Sequence, residues 1–255
     1  MRFNWGTLAA RPADETNDFF YYQDSVLVGC LSLYSFGHSE AEASGMVHPE
    51  HRRQGIFRSL VAMAIEELKQ RAIPKLIFFC DIRSHFGIAF LKALGAQYDH
   101  SEYRMDLAGP QASPAYDERL RVERAEKEDI AAVAHIIGLC FGAPEEEVQR
   151  GIVEHIDNPA HPDLLGRLDG VPIGALSMIA DERSVGIFGF GVLPEYRGRG
   201  YGRQILARAI AYATARYQKP IFLEVVPENA SALGLYQSVG FQETSRYEYY
   251  SSDVD

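Results

Sequence analysis

The residues Arg197-Gly198-Arg199-Gly200-Tyr201-Gly202 alternate glycine with arginine or tyrosine, and Arg203 follows. An apolar stretch ending at Leu193-Pro194 precedes them, and an amphipathic pattern begins after them. That order predicts strand, tight turn, helix. Backbone N–H groups in such a turn converge on one point, and the helix N-terminus adds partial positive charge there. Glycine lets the main chain approach a bulky anion. Arg197, Arg199 and Arg203 surround that point with charge. The chemistry this suits is holding a diphosphate. It is not a Walker loop, whose lysine and spacing are missing, nor a dinucleotide-binding glycine fingerprint. A surface turn rich in arginine and glycine is the inert alternative.

A second group of residues lies downstream. Glu224 is a lone carboxylate in the apolar run Ile221-Phe222-Leu223-Glu224-Val225-Val226. Burial there would raise its pKa toward that of a useful base. The alternative is a side chain facing solvent at the edge of a cleft. Asn229, Ala232, Leu235, Tyr236, Gly240 and Phe241 follow at fixed intervals.

Together the two groups resemble the GNAT superfamily of acetyl-coenzyme A-dependent N-acetyltransferases. Its pattern after the fourth strand is Arg/Gln-x-x-Gly-x-Gly/Ala, which the loop 197–202 matches. Its pattern after the fifth strand is Asn-x-x-Ala-x-x-Leu-Tyr-x-x-x-Gly-Phe, which residues 229–241 match at every fixed position. The resemblance covers residues 118–251 in full and residues 19–107 weakly. It implies a mixed sheet whose fourth and fifth strands splay, with the pantetheine arm of coenzyme A between them. Phe190, Gly191 and Val192 fall where the fourth strand would bond that arm, and the glycines at 189 and 191 suit a bulge that would drive the splay. A main-chain N–H in this segment would be the oxyanion donor. Tyr236 falls where the family places its general acid, and a phenol near pKa ~10 suits a leaving thiolate. Glu224 precedes Tyr236 by twelve residues, a spacing similar to that of the ribosomal-protein alanine N-acetyltransferases, in which the strand-five glutamate is the base; a water-relayed path is the alternative. Asn229 would orient pantetheine or a water, cap its helix, or do both.

The elements that must position these residues occur twice. Val47-His48-Pro49-Glu50-His51-Arg52 is similar to Val192-Leu193-Pro194-Glu195-Tyr196-Arg197, and Leu91 to Gly95 aligns with Tyr236 to Gly240, both at an offset of 145 residues. Two motifs sharing one offset imply two copies of one fold. The expected architecture is α+β: two GNAT-like copies, each a mixed, mostly antiparallel sheet flanked by helices. Expected bounds are 1–107 for an incomplete first copy, 108–117 for a linker marked by Pro110, Ser113 and Pro114, and 118–255 for a complete, catalytic copy. At the 145-residue offset, the first strand and helices of the first copy would precede Met1. Its counterparts of Glu224, Asn229, Tyr236 and Gly202 are Phe79, Ser84, Leu91 and Phe57. Its loop keeps Arg52 and Gly55, which leaves weak cofactor binding as an alternative, but without the proposed acid and base it is expected to be structural or substrate-shaping. Mycothiol synthases are similar in pairing a degenerate N-terminal half with an active C-terminal one.

Composition bounds the rest. Of 255 residues, 47% are apolar and 24% charged, as in a soluble globular protein. No apolar run is long enough to span a membrane, and Met1 to Trp5 lack a signal-peptide core. Cys30, Cys80 and Cys140 are widely spaced, which suits free thiols in a reducing cytoplasm, with Cys140 a buried thiol in preference to an acyl-enzyme nucleophile. The net charge of −10 disfavours nucleic-acid and anionic-membrane partners. The pairs His48/His51 and His155/His161 lack metal-site spacing, so surface or capping roles and no metal are expected. Asp157, Asp163, Asp181 and Glu182 could attract an ammonium group, although isolated acidic residues are usually solvated. The expected activity is acetyl transfer from acetyl-coenzyme A to a primary amine of a small molecule or peptide. A non-catalytic acyl-coenzyme A sensor or scaffold is the alternative. The truncated first copy would leave apolar surface for the second copy, or for a partner chain in a homodimer, to cover.

Overall fold

The computed structural model describes residues 15–35, 39–109 and 116–254. Pro110, Ser113, Pro114 and the stretch Met1 to Trp5 lie outside the described residues. In chain order the first copy contains β1 (Asp18–Gln23), β2 (Val26–Ser35), β3 (Ala41–Val47), α1 (Ile56–Gln70), β4 (Lys75–Asp81), α2 (His85–Leu94) and β5 (Gln97–Leu107). The second contains β6 (Leu120–Arg124), α3 (Ile130–Phe141), α4 (Glu145–His155), β7 (Asp163–Leu168), β8 (Val171–Ala180), β9 (Val185–Val192), α5 (Tyr201–Tyr217), β10 (Ile221–Val225), α6 (Ala230–Ser238) and β11 (Phe241–Asp253).

The 145-residue offset extends through the structure. It relates both ends of β2 to those of β8, and the starts of β1 and α1 to those of β7 and α5. Local chemistry repeats with it. Each hairpin turns through two residues at positive φ, Asp24-Ser25 and Asp169-Gly170, the pair a tight primed turn requires. Ser32 Oγ donates to Asp18 at 2.6 Å, and Ser177 Oγ donates to Asp163 in the same place. Among the described residues, the first copy begins at the counterpart of β7.

The chain forms two compact units that are not contiguous in sequence. One joins the residues up to Glu102 with Arg246–Asp255, and the other runs from Tyr103 to Ser245. The first unit has the sheet order β1-β2-β3-β4-β11, and the second β5-β10-β9-β8-β7-β6. In the first, Tyr247–Asp253 of β11 pair antiparallel with β4. In the second, Tyr103–Asp106 of β5 pair antiparallel with β10. Each copy thus lends the end of its last strand to the other unit. This explains why β5 and β11, at 11 and 13 residues, are longer than the strands expected near Tyr103–Leu107 and Arg246–Tyr250.

In the second unit both sheet faces are covered. Ile205, Leu206, Ala209 and Ala213 of α5 pack with Leu223, Val225 and Tyr236 on one face. Val133, Ala134 and Ile136 of α3 and Ile152 of α4 pack with Leu165 and Ala175 on the other. In the first unit Leu60, Val61, Ala64 and Leu68 of α1 pack on Leu31, Leu33 and Leu76.

Asp163 is not solvated: it is fully buried. A buried carboxylate needs partners. Besides Ser177, it has His155 Nε2 at 2.9 Å, and His161 stacks on His155 with ring centroids 3.7 Å apart. These histidines are therefore half-buried partners of a core carboxylate, not free surface groups. Burial pushes His155 down, but its hydrogen bond to Asp163 and the charge of that group outweigh this, so its pKa ends above the ordinary 6.5. Burial and the neighbouring His155 bring His161 down to about 4. A histidine held neutral in the fold contributes stability that is complete above 6.5 and is lost as pH falls toward about 4. His155 acts oppositely: its contribution is present below 6.5 and lost as pH rises through its folded pKa. Replacing His161→Asn should therefore flatten the fall in melting temperature between pH 6.5 and 4. An unchanged slope would show that His161 does not set it.

Candidate active site

β9 and β10 run parallel but pair over only three positions, Val185–Ile187 with Ile221–Leu223. Beyond Leu223, β10 pairs with β5 alone, Glu224 opposite Arg104 and Val225 opposite Tyr103. The segment Phe188 to Val192 thus leaves the parallel ladder, and a splay opens beside it. The expected bulge is present: the β8–β9 register slips between Ala175↔Gly191 and Ser177↔Phe188, and Gly189 has φ +55°. The bulge does not cause the splay. In the first copy β3 and β4 also pair over three positions, while β2 and β3 keep an unbroken register. The bulge instead distinguishes the second copy, where it sets the course of Phe190 and Gly191. Gly191 is required by packing, since a Cβ there would lie 2.6 Å from Cys140 Sγ.

The loop 197–202 forms as expected, with more of its side chains engaged by the protein itself. Arg197 Nε donates to the Val192 carbonyl at 2.7 Å, pinning the turn to the end of β9, and Cys140 Sγ lies 3.5 Å from the same oxygen. Arg203 donates to the Ser238 carbonyl at 3.1 Å, holding the end of α6. Tyr201 is buried in the core, so only its main chain is left to face a ligand. Arg199 is exposed. Gly198 and Gly200 have φ of +73° and +80°, and a Cβ on either would meet no atom within 4 Å. The space beside both glycines is open. No side chain caps α5, and the N–H groups of its first turn have no acceptor within the helix. Gly202 lies where a Cβ would be 3.5 Å from Leu235 and 3.8 Å from Phe190, so it lines the splay.

Tyr236 on α6 is 9% exposed and packs edge-on against Phe241. Burial alone pushes its phenol above the ordinary value of 10.0. Its hydroxyl has no hydrogen-bond partner among the described residues. Glu224 is half-buried on β10. Leu223 and Val225 share the face of Tyr236, so strand alternation puts Glu224 on the opposite face. The acid and base candidates therefore flank the sheet from its two sides.

The apolar setting expected for Glu224 forms only in part. Opposite it stands Arg104, whose guanidinium lies 3.8 Å over the Phe222 ring and donates to Asp106 at 2.8 Å. Arg104 and Asp106 were missing from the sequence-based site because they come from the last strand of the first copy. Only the alternating charges of Tyr103-Arg104-Met105-Asp106 hinted at a half-buried strand. Asn229 caps α6: its Oδ1 accepts from Ala232 N at 3.1 Å and from Ser231 Oγ at 3.0 Å. Of the acidic residues considered for an ammonium group, Asp157 pairs with Lys127 at 2.6 Å, and Asp181 accepts from the main chain of Arg183 and Ser184.

Comparisons agree with this geometry. The family model described as Acetyltransferase (GNAT) family matches residues 3–96 and 130–241. The chain is 44% identical over 61 residues to the N-alpha-acetyltransferase RimI of Mycobacterium tuberculosis, and 38% identical over 74 residues to the [Ribosomal protein bS18]-alanine N-acetyltransferase of Escherichia coli. These matches take in 24% and 29% of this chain, and 37% and 49% of the relatives' own lengths. A mycothiol acetyltransferase of Kineococcus radiotolerans is 28% identical over 253 residues, covering 91% of this chain and 80% of that protein. Among solved structures, a tandem GNAT protein from the clavulanic acid biosynthesis pathway superimposes with a TM-score of 0.80 at 19% identity, covering 98% of this chain and 86% of that one. A GCN5-related N-acetyltransferase from Sphaerobacter thermophilus gives 0.77 at 18% identity, covering 91% and 78%. With a family model that matches both copies and a fold that repeats in both, the chain belongs to the acetyltransferase (GNAT) family.

Proposed function

We propose that the second copy transfers an acetyl group from acetyl-coenzyme A to a primary amine of a small molecule or peptide, by direct attack of the amine on the thioester. The observation that carries this reading is the placement of Tyr236 and Glu224 on opposite faces of the sheet beside the β9–β10 splay. The loop fits a diphosphate: Gly198 and Gly200 leave open space, and the start of α5 is uncapped. Main-chain groups of Phe190 and Gly191 would hold the pantetheine arm. The Val192 carbonyl, already bonded by Arg197, contributes less than expected from sequence. Bound acetyl-coenzyme A supplies the activated acyl carbon.

Glu224 takes the proton that the amine must lose, directly or through one water. The neutral amine nitrogen then forms its bond to the carbonyl carbon, the carbon–sulfur bond breaks, and the proton left on the acylated nitrogen passes to solvent, as does the one held by Glu224. Tyr236 gives its proton to the departing thiolate and recovers one from solvent after release. The high pKa that burial gives Tyr236 keeps it protonated for this task. Similarity to enzymes named for alanine N-acetylation supports an α-amino group as one substrate class.

Gly200→Ala tests the cradle. The substitution meets no protein atom but stands at φ +80°. It should cost about 1 kcal/mol of stability and weaken acetyl-coenzyme A at least about tenfold, the equivalent of 1.4 kcal/mol. Thermal shift with and without the cofactor separates the two effects. An undiminished cofactor-induced shift would place the diphosphate elsewhere.

A further inference from the structure

The first copy has no proposed acid or base, yet it retains a cleft of about 620 Å³, within the range of small-molecule sites. Its turn has the same construction as the loop 197–202. Gly55 has φ +82° and ψ −4°, against +80° and −1° for Gly200. Arg52 Nε donates to the Val47 carbonyl at 3.1 Å, as Arg197 does to Val192. Phe57 stands in place of Gly202. The structure gives it another role. A Cβ on Gly45 would lie 2.6 Å from the Phe57 ring, and Gly45 is the counterpart of Phe190. The ring comes from the strand in one copy and from the helix in the other, each against a glycine. The cleft is thereby kept, not filled.

Its chemistry differs from that of the second copy in two respects. The mouth carries three arginines in both copies but places one differently: Arg53 stands where Gly198 does, at φ +66°, Gln54 replaces Arg199, and Arg53 lines the cleft with Arg52 and Arg58. The interior is more apolar: Phe79 and Leu91 replace Glu224 and Tyr236 and line the cleft with Phe78 and Phe90. Phe57 and Phe90 meet edge to face at 5.0 Å.

We propose that the cleft of the first copy binds, without reacting with it, an anionic amphiphile: a phosphate-bearing head at Arg52, Arg53 and Arg58, and a long acyl or alkyl chain among Phe78, Phe79, Phe90 and Leu91. Cationic mouth and largely apolar interior are complementary to such a molecule, and no carboxylate is among the lining residues to hold a free amine. This site is separate from the acetyl-transfer site and stands whether or not that reading holds.

Calorimetric titration of the full chain with dodecanoyl-coenzyme A, dodecyl phosphate and coenzyme A tests it. Two variants accompany the wild type: Phe79→Glu, which puts a carboxylate in the interior, and Arg53→Gly/Arg58→Gln, which removes two exposed charges and relieves the positive φ. Dodecyl phosphate should bind the wild type and bind both variants at least tenfold more weakly, dodecanoyl-coenzyme A should lose in both variants the binding event that the second copy does not account for, and Phe79→Glu should change coenzyme A binding less than twofold. If Phe79→Glu does not fold, the arginine variant decides alone. Binding of dodecanoyl-coenzyme A but not dodecyl phosphate, with the same losses, identifies a coenzyme A thioester as the source. No long-chain binding to the wild type, or binding that the folded variants leave unchanged, overturns the proposal.

Discussion

Tyr236→Phe is expected to lower kcat for acetyl transfer by at least about 100-fold, the lower end of what a positioned general acid contributes. The substitution removes one oxygen and keeps the ring that packs on Phe241. The hydroxyl bonds to no described residue, so its loss leaves no protein donor or acceptor unpaired. The melting temperature and the KM for acetyl-coenzyme A should therefore barely move. Burial holds the phenol above 10.0, so its ionisation should halve the wild-type rate only above pH 10. A variant within about threefold of the wild type would remove Tyr236 from the chemistry and leave it as a core residue.

Glu224→Gln has the second large effect, at least about tenfold on kcat/KM near pH 7. This residue is proposed to take a proton from an ammonium group, so its loss matters most where the amine arrives protonated. As pH rises toward the pKa of the free amine, solvent does that work and the deficit should shrink. A deficit equal at every pH would point instead to a charge effect on binding. That is a real contrast here, because Glu224 stands opposite Arg104, and Asp106 is opposite Phe222 two residues away. Arg104→Met provides the comparison: it removes the guanidinium while leaving an unbranched side chain over Phe222, and it should change KM more than the pH dependence.

Much of the fold could be read from the sequence because local patterns repeat. The 145-residue offset between Val47–Arg52 and Val192–Arg197 holds through the hairpins and the starts of α1 and α5. The loop 197–202 and the cap at Asn229 were equally legible, since glycine at positive φ and asparagine at a helix start have short-range causes. What the sequence did not reveal is long-range. The end of β5 pairs with β10 and that of β11 with β4, a choice made between segments more than a hundred residues apart. Arg104 comes to stand opposite Glu224 only through that exchange. The neutral His161 and buried Asp163 belong to the same class, although Asp18 with Ser32 and Asp163 with Ser177 share the repeat offset and could have signalled a structural pair. Phe57 is a related case. Its meaning depends on Gly45 across the cleft, and only the structure brings the two together.

The most direct measurement is product formation by the unmodified chain. It is incubated with acetyl-coenzyme A and a panel of primary amines, including peptides with N-terminal alanine, while free thiol is followed optically and acetylated amine by mass spectrometry. The account predicts amine-dependent thiol release, with one acetylated amine formed for each thiol. Cofactor-dependent stabilisation with no acetylated product from any amine would contradict it, and would leave the chain as a binding protein built on an acetyltransferase fold.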